Sequence, residues 1–278
     1  MPFADVSGVR LFYTDDGGGD PPLLLVHGWT CDSCDWSAQI DELAERHRVI
    51  AVDLRGHGRS SAGDGYELST LAADLAALLE LLETGPVVAI GHSLGGAVVT
   101  VLAVEHPAHV RAVVGVDPAI GIGPELADLA QTVSEQMSGP QANAFLVQAF
   151  AEMEGPSASA LIRTWHRRRA LGFPWEFLAE TWGSQERSGL LYRPAADEYV
   201  ARRTCPALSI YVLGERAAWE AKTLRNPESR AVAWEDCGHW LHQEQPARFN
   251  ELVLEWVSGL DGAGTVEPVP AAAQARRA

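Results

Sequence analysis

The chain has 278 residues, with 21 Lys plus Arg against 37 Asp plus Glu, a net charge of −16. This balance argues against a nucleic-acid or anionic-membrane surface and for a freely soluble protein. The length suits one α/β domain with an insertion, and without an N-terminal signal-like run or an apolar stretch near the ~20 residues of a spanning helix, the expected location is the cytoplasm.

Along the chain, short apolar runs bounded by turn residues alternate with helical patterns, as in a mostly parallel sheet with crossover helices. Strands are expected at 9–13, 23–26, 48–52, 87–90, 112–116, 208–212 and 230–234. Cys31-x-x-Cys34 follows the second of these as a redox pair would. It lacks a second pair of metal ligands and reads as two small loop residues. Ser69 or Thr70 should cap a helix whose stripe is Leu71, Leu75, Leu78, Leu79 and Leu82, stopped by Gly85-Pro86. Residues 118–205 break the rhythm with helical patterns and many aromatics, so a helical cap is expected there, between core segments 1–117 and 206–260. After Gly262 the chain turns Ala/Pro/Gly-rich, and 261–278 is expected to be a disordered tail.

The strand at 87–90 runs into Gly91-His92-Ser93-Leu94-Gly95-Gly96 and then an apparent helix. A G-x-S-x-G between strand and helix is a nucleophile elbow: the glycines permit a sharp turn that raises the Ser93 hydroxyl above the sheet, and the helix N-terminus favours negative charge there. A serine needs a base, a group to orient that base, and donors for the oxyanion formed on attack. His239, in the loop after the last strand, is the candidate base. His47, His57, His106, His109, His166 and His242 lack such a placement, and His92 precedes the nucleophile. The Leu94 amide is the natural first oxyanion donor, and the Trp29 amide, in His27-Gly28-Trp29 after the strand at 23–26, the second.

Together with Asp53-Leu54-Arg55-Gly56-His57-Gly58-Arg59-Ser60, Asp117-Pro118-Ala119 and Gly238-His239, these motifs resemble the α/β-hydrolases from residue 3 to about 260. The resemblance implies an α/β fold with a mostly parallel eight-stranded sheet, a cap between the sixth and seventh strands, no cofactor or metal, and a Ser–acid–His triad. It also implies that Asp53 and Arg55 belong to a structural turn.

In most such proteins the acid follows the seventh strand, where Gly214-Glu215-Arg216 is followed here by Ala217. An alanine cannot orient an imidazole. Glu215 and Glu220 lie near that strand end, and Asp117 follows the sixth strand, at the sheet edge where open α/β sheets place ligands. Some α/β-hydrolases, among them pancreatic-type lipases and fungal lactonases, carry their acid there, and Asp117 is the favoured candidate. The plain alternative is that Asp117-Pro118 only makes a turn.

The expected reaction is acyl transfer from a carboxylic ester or lactone, a small-molecule substrate, to Ser93, with Trp165 and Trp182 candidate walls of an apolar pocket. Aromatics at helical spacing, Trp175 included, are also ordinary core. Two further chemistries stay open: carbon–carbon bond hydrolysis, and cofactor-independent ring cleavage by dioxygen. The quinolone-cleaving dioxygenases that perform the latter share features matched by Trp29, His239 and Asp117, but carry a His where this chain has Leu94. Receptors without catalysis are also built on this fold.

Overall fold

The computed structural model describes residues 2–123 and 127–262, so most of the expected tail, 263–278, lies outside the described residues. Strands β1 (Phe3–Val6) and β2 (Val9–Gly17) form a hairpin, with Ser7 and Gly8 at φ 49° and 78° supplying its turn. The six that follow are β3 (Leu23–Val26), β4 (Arg48–Val52), β5 (Val87–His92), β6 (Val110–Val116), β7 (Ala207–Tyr211) and β8 (Arg230–Ala233). Among the described residues they form one eight-stranded sheet in the order β1-β2-β4-β3-β5-β6-β7-β8. The pairs β1/β2 and β2/β4 are antiparallel and the remainder parallel.

The sequence pattern misses β1. Four residues with Asp5 among them carry little strand signal, and the strand exists because Val6 and Val9 pair across the turn. The parallel strands β3 to β7 are buried on both faces, as their apolar runs require, whereas β8 at the sheet edge is partly exposed. Leu24 and Val26 of β3 face one core with α2 (Leu68–Leu81) and α3 (Leu94–Glu105). Leu23 and Leu25 face the other, with α1 (Ser37–Ala44) and the C-terminal helix at Pro246–Gly262. Helix α2 starts before the expected Ser69/Thr70 cap because Leu68 is itself buried and lengthens the apolar stripe.

Between β6 and β7 the described residues form five helices: α4 (Ala127–Met137), α5 (Ala142–Met153), α6 (Ala160–Ala170), α7 (Trp175–Arg187) and α8 (Ala195–Val200). Met137, Leu146, Phe150 and Leu178 give the insertion a core that also takes in Trp240 and the flank of Trp29, both from loops of the sheet domain. Polar contacts tie the two parts: Trp29 Nε1 donates to Thr181 Oγ1 at 2.8 Å, and Arg169 pairs with buried Asp35 and with Asp32. After β7 come α9 (Gly214–Ala221), α10 (Leu241–Glu244) and α11 (Pro246–Gly262). Among the described residues no helix is long and apolar enough to cross a membrane.

Candidate active site

Adjacent parallel strands deliver their following residues to one edge of the sheet. Ser93 follows β5, Asp117 follows β6, and His239 lies in the loop after β8. The strand ends are stitched together: the Ser93 amide donates to Val116 O at 2.9 Å, the Asp117 amide to Ile210 O at 2.7 Å, and the Ala119 amide to Ser93 O at 2.9 Å.

Ser93 has φ 52° and ψ −114°, a conformation that costs an L-residue ~1–3 kcal/mol and persists only where its surroundings impose it. The surroundings are tight, for a Cβ on Gly95 would stand 2.3 Å from Val26 O. Gly28 packs against the elbow, its absent Cβ lying 3.3 Å from that of Ser93. Among the described residues, neither the Trp29 nor the Leu94 amide donates to another backbone group. Trp29 follows Gly28 and lines the same cavity as Ser93, and Leu94 opens α3, whose aligned peptides favour negative charge at that end.

His239 Nδ1–H donates to Asp117 Oδ2 at 2.5 Å, which leaves Nε2 as the basic nitrogen. Asp117 Oδ1 accepts from the Val212 amide at 3.3 Å and stands 4.0 Å from the Arg216 guanidinium. Burial alone would push this carboxyl up; the His239 hydrogen bond and charge, Arg216 and the Val212 amide outweigh it and hold Asp117 below the ordinary carboxylate range. Arg216 Nη2 also donates to Pro118 O and Ile120 O, each at 2.7 Å, bracing the turn in which Asp117 sits at φ 40°.

The other acid candidates are placed elsewhere. Gly214-Glu215-Arg216-Ala217 is the start of α9, and Glu215 points out to solvent. Glu220 is buried, paired with Arg203 at 2.6 Å and accepting from the Tyr211 hydroxyl at 2.7 Å. Asp53 and Arg55 are structural: Asp53 accepts the Ser33 and Arg59 amides, and Arg55 grips Asp74 through two hydrogen bonds of 2.8 Å.

Ser93, Asp117 and His239 line one cavity of about 240 Å³, with Trp29 and Trp182 in its wall. Trp182 packs on Trp29 with ring centroids 5.5 Å apart. The wall is otherwise mainly apolar, from Met137, Phe145, Leu146 and Phe150, with His92, Gln185 and Arg216 polar exceptions. Trp165 corrects the sequence reading: it does not line this cavity but stands 42% exposed on α6 under the Arg169 guanidinium, over a separate depression with Cys34 and Leu161. Helix α6 turns His166 and Arg169 inward instead, where Glu154 and Asp35 pair with them. Trp175 packs, half-buried, against the core of the insertion.

Two contributors escape sequence reasoning. His92 is fully buried, and its Nε2–H donates to the His239 carbonyl at 3.0 Å, tying the turn at Ser93 to the His239 loop. Arg216 follows the strand where an acid is usually sought, and a search for carboxylates passes over a cation. Cys31 is buried in the cavity wall, while Cys34 meets Arg59 Nη2 at 3.2 Å, so both are free thiols with separate surroundings.

A model of the alpha/beta hydrolase family matches residues 23–252. A non-heme haloperoxidase from Rhodococcus erythropolis is 44% identical over 111 residues, 39% of this chain and 40% of that one. The chain spans only about a third to two fifths of the first curated relatives it matches. A thermophilic esterase from Thermogutta terrifontis superposes with a TM-score of 0.77 at 27% identity, covering 94% of this chain and 97% of that one. An enol-lactonase from Burkholderia xenovorans, at 23% identity and a TM-score of 0.78, covers 92% of this chain and 100% of its own and shares the fold.

Proposed function

The chain belongs to the alpha/beta hydrolase family, and from that premise we propose that it is a serine hydrolase of small carboxylic esters or lactones. The carrying observation is the 2.5 Å hydrogen bond from His239 Nδ1 to Asp117 Oδ2, in a cavity that Ser93 also lines. In the proposed cycle His239 Nε2 takes the Ser93 proton as Oγ attacks the carbonyl carbon. The Leu94 and Trp29 amides receive the oxyanion, which is where such donors lower the barrier most. Collapse expels the alcohol, which takes the proton from His239, and a water activated by the same nitrogen hydrolyses the acyl-enzyme. Asp117 keeps the ring in the productive tautomer and stabilises the imidazolium.

A cavity of about 240 Å³ lies below the ~300–1,000 Å³ usual for ligand sites, which supports a compact substrate. Its mainly apolar wall supports a short alkyl or aryl group rather than a charged one. The esterase and lactonase neighbours agree with this class. The test is a panel of aryl esters, alkyl esters of graded length and lactones, run with Ser93→Ala alongside. Short apolar esters or lactones should be turned over, and the variant should be inactive. Oxygen uptake with a ring substrate that survives Ser93→Ala would contradict the proposal.

A further inference from the structure

His239 is held by its backbone as well as by its ring. Its amide donates to Met153 O, at the C-terminal end of α5, at 2.8 Å. One residue earlier, the Gly238 amide donates to Glu244 Oε2 at 3.2 Å, and the other oxygen of that carboxylate accepts from the Gly155 amide at 2.9 Å. Buried at the end of α10, Glu244 therefore bridges the histidine loop and the turn between α5 and α6.

The two backbones are in direct contact there. A Cβ on Gly155 would stand 2.2 Å from the Gly238 nitrogen, and one on Gly238 would stand 2.1 Å from the Gly155 nitrogen. Arg163 of α6 adds a third tie, donating to Gly155 O at 3.1 Å while pairing with Glu154 at 2.9 Å. Neither Glu244 nor either glycine lines the cavity. Their contacts bear on the placement of His239, with no part in holding the substrate.

We propose that Glu244 is a positioning residue: it clasps the histidine loop to the α5–α6 turn, so the inserted helices fix the catalytic base as well as roof the cavity. The proposal rests on the serine-hydrolase reading above. A glutamine at this position offers one acceptor oxygen and turns an NH₂ toward the other amide, losing one of the two bonds.

The test compares wild type, Glu244→Gln and Gly155→Ala, with Gly172→Ala as a control in the same insertion, where a Cβ would meet only helix carbonyls at 3.4 Å. Ester turnover and the rate of Ser93 labelling by a fluorophosphonate are measured on folded protein. Because a displacement of the order of 1 Å in catalytic geometry costs about 10²-fold, kcat and the labelling rate should fall together by about that factor in both variants. KM and the control should stay at wild-type values. A folded Glu244→Gln protein with wild-type kcat and labelling rate would overturn the proposal, and if that variant does not fold, Gly155→Ala decides by the same criterion. A wild-type protein that takes no probe overturns the serine-hydrolase reading itself, and the proposal with it.

Discussion

Three groups answer the burial of Asp117: His239 takes one oxygen, and Arg216 and the Val212 amide face the other. Asp117→Asn leaves the shape but presents an NH₂ or a neutral oxygen to His239, so kcat should fall by ~10⁴-fold, while Glu215→Gln, changing an exposed side chain of α9, should leave kcat unchanged. Steady-state kinetics on the same ester decides between them. The Arg216–Asp117 interaction can be isolated by a double-mutant cycle in urea: Arg216→Gln should destabilise the wild type more than the Asp117→Asn protein, with a coupling of ~0.5–3 kcal/mol. Equal losses in the two backgrounds would remove Arg216 from the account of Asp117. Ser93, Asp117 and His239, which the structure brings to one cavity, are legible in the sequence as candidates because each follows a strand and carries a chemistry its neighbours in sequence do not explain. Arg216 and Glu244 are not, because their partners stand 98 and 89 residues away.

At the scale of elements, the buried pair Arg203–Glu220 joins the end of the insertion to α9. Breaking such a pair by removing one partner leaves an uncompensated buried charge, so Glu220→Ala should lower the unfolding free energy by ~3–5 kcal/mol. It should leave kcat of the folded protein intact, and a large fall in kcat would return Glu220 to the list of candidate acids. Thr181→Val removes the partner of Trp29 Nε1 and should cost ~1 kcal/mol in the same urea experiment. The inner strands β3 to β7 are readable from their apolar runs, since a strand buried on both faces advertises itself without reference to its neighbours, whereas β1, with Asp5 among its four residues, is not. Nor is the face of α6. Whether Trp165 or His166 points inward is decided by Glu154, Gln243 and Asp35, residues that no helical period reveals.

For the whole molecule, the pH dependence of stability should come from buried histidines more than from the net charge. Burial pushes His27 down to about 4 and His57 down to about 3, and holds His92 and His242 well below their ordinary value. A histidine neutral in the fold but protonated when unfolded makes the unfolded state the greater proton binder at acid pH. Stability is therefore full above the unfolded value near ~6.5 and falls with pH below it, by up to ~1.4 kcal/mol per pH unit for each such group, until the folded value is reached. Tm should be nearly flat from pH 9 to 7 and decline steadily from pH 6.5 to 4, as differential scanning calorimetry would show. The central claim, that the three strand ends meet to make an acyl-transfer site on Ser93, is tested most directly by intact-mass spectrometry after rapid mixing with a short p-nitrophenyl ester. One acyl group should appear on Ser93 during the burst of p-nitrophenolate, with no adduct on Ser93→Ala, whereas steady ester turnover by the Ser93→Ala protein, or an acyl group carried by another residue, would contradict it.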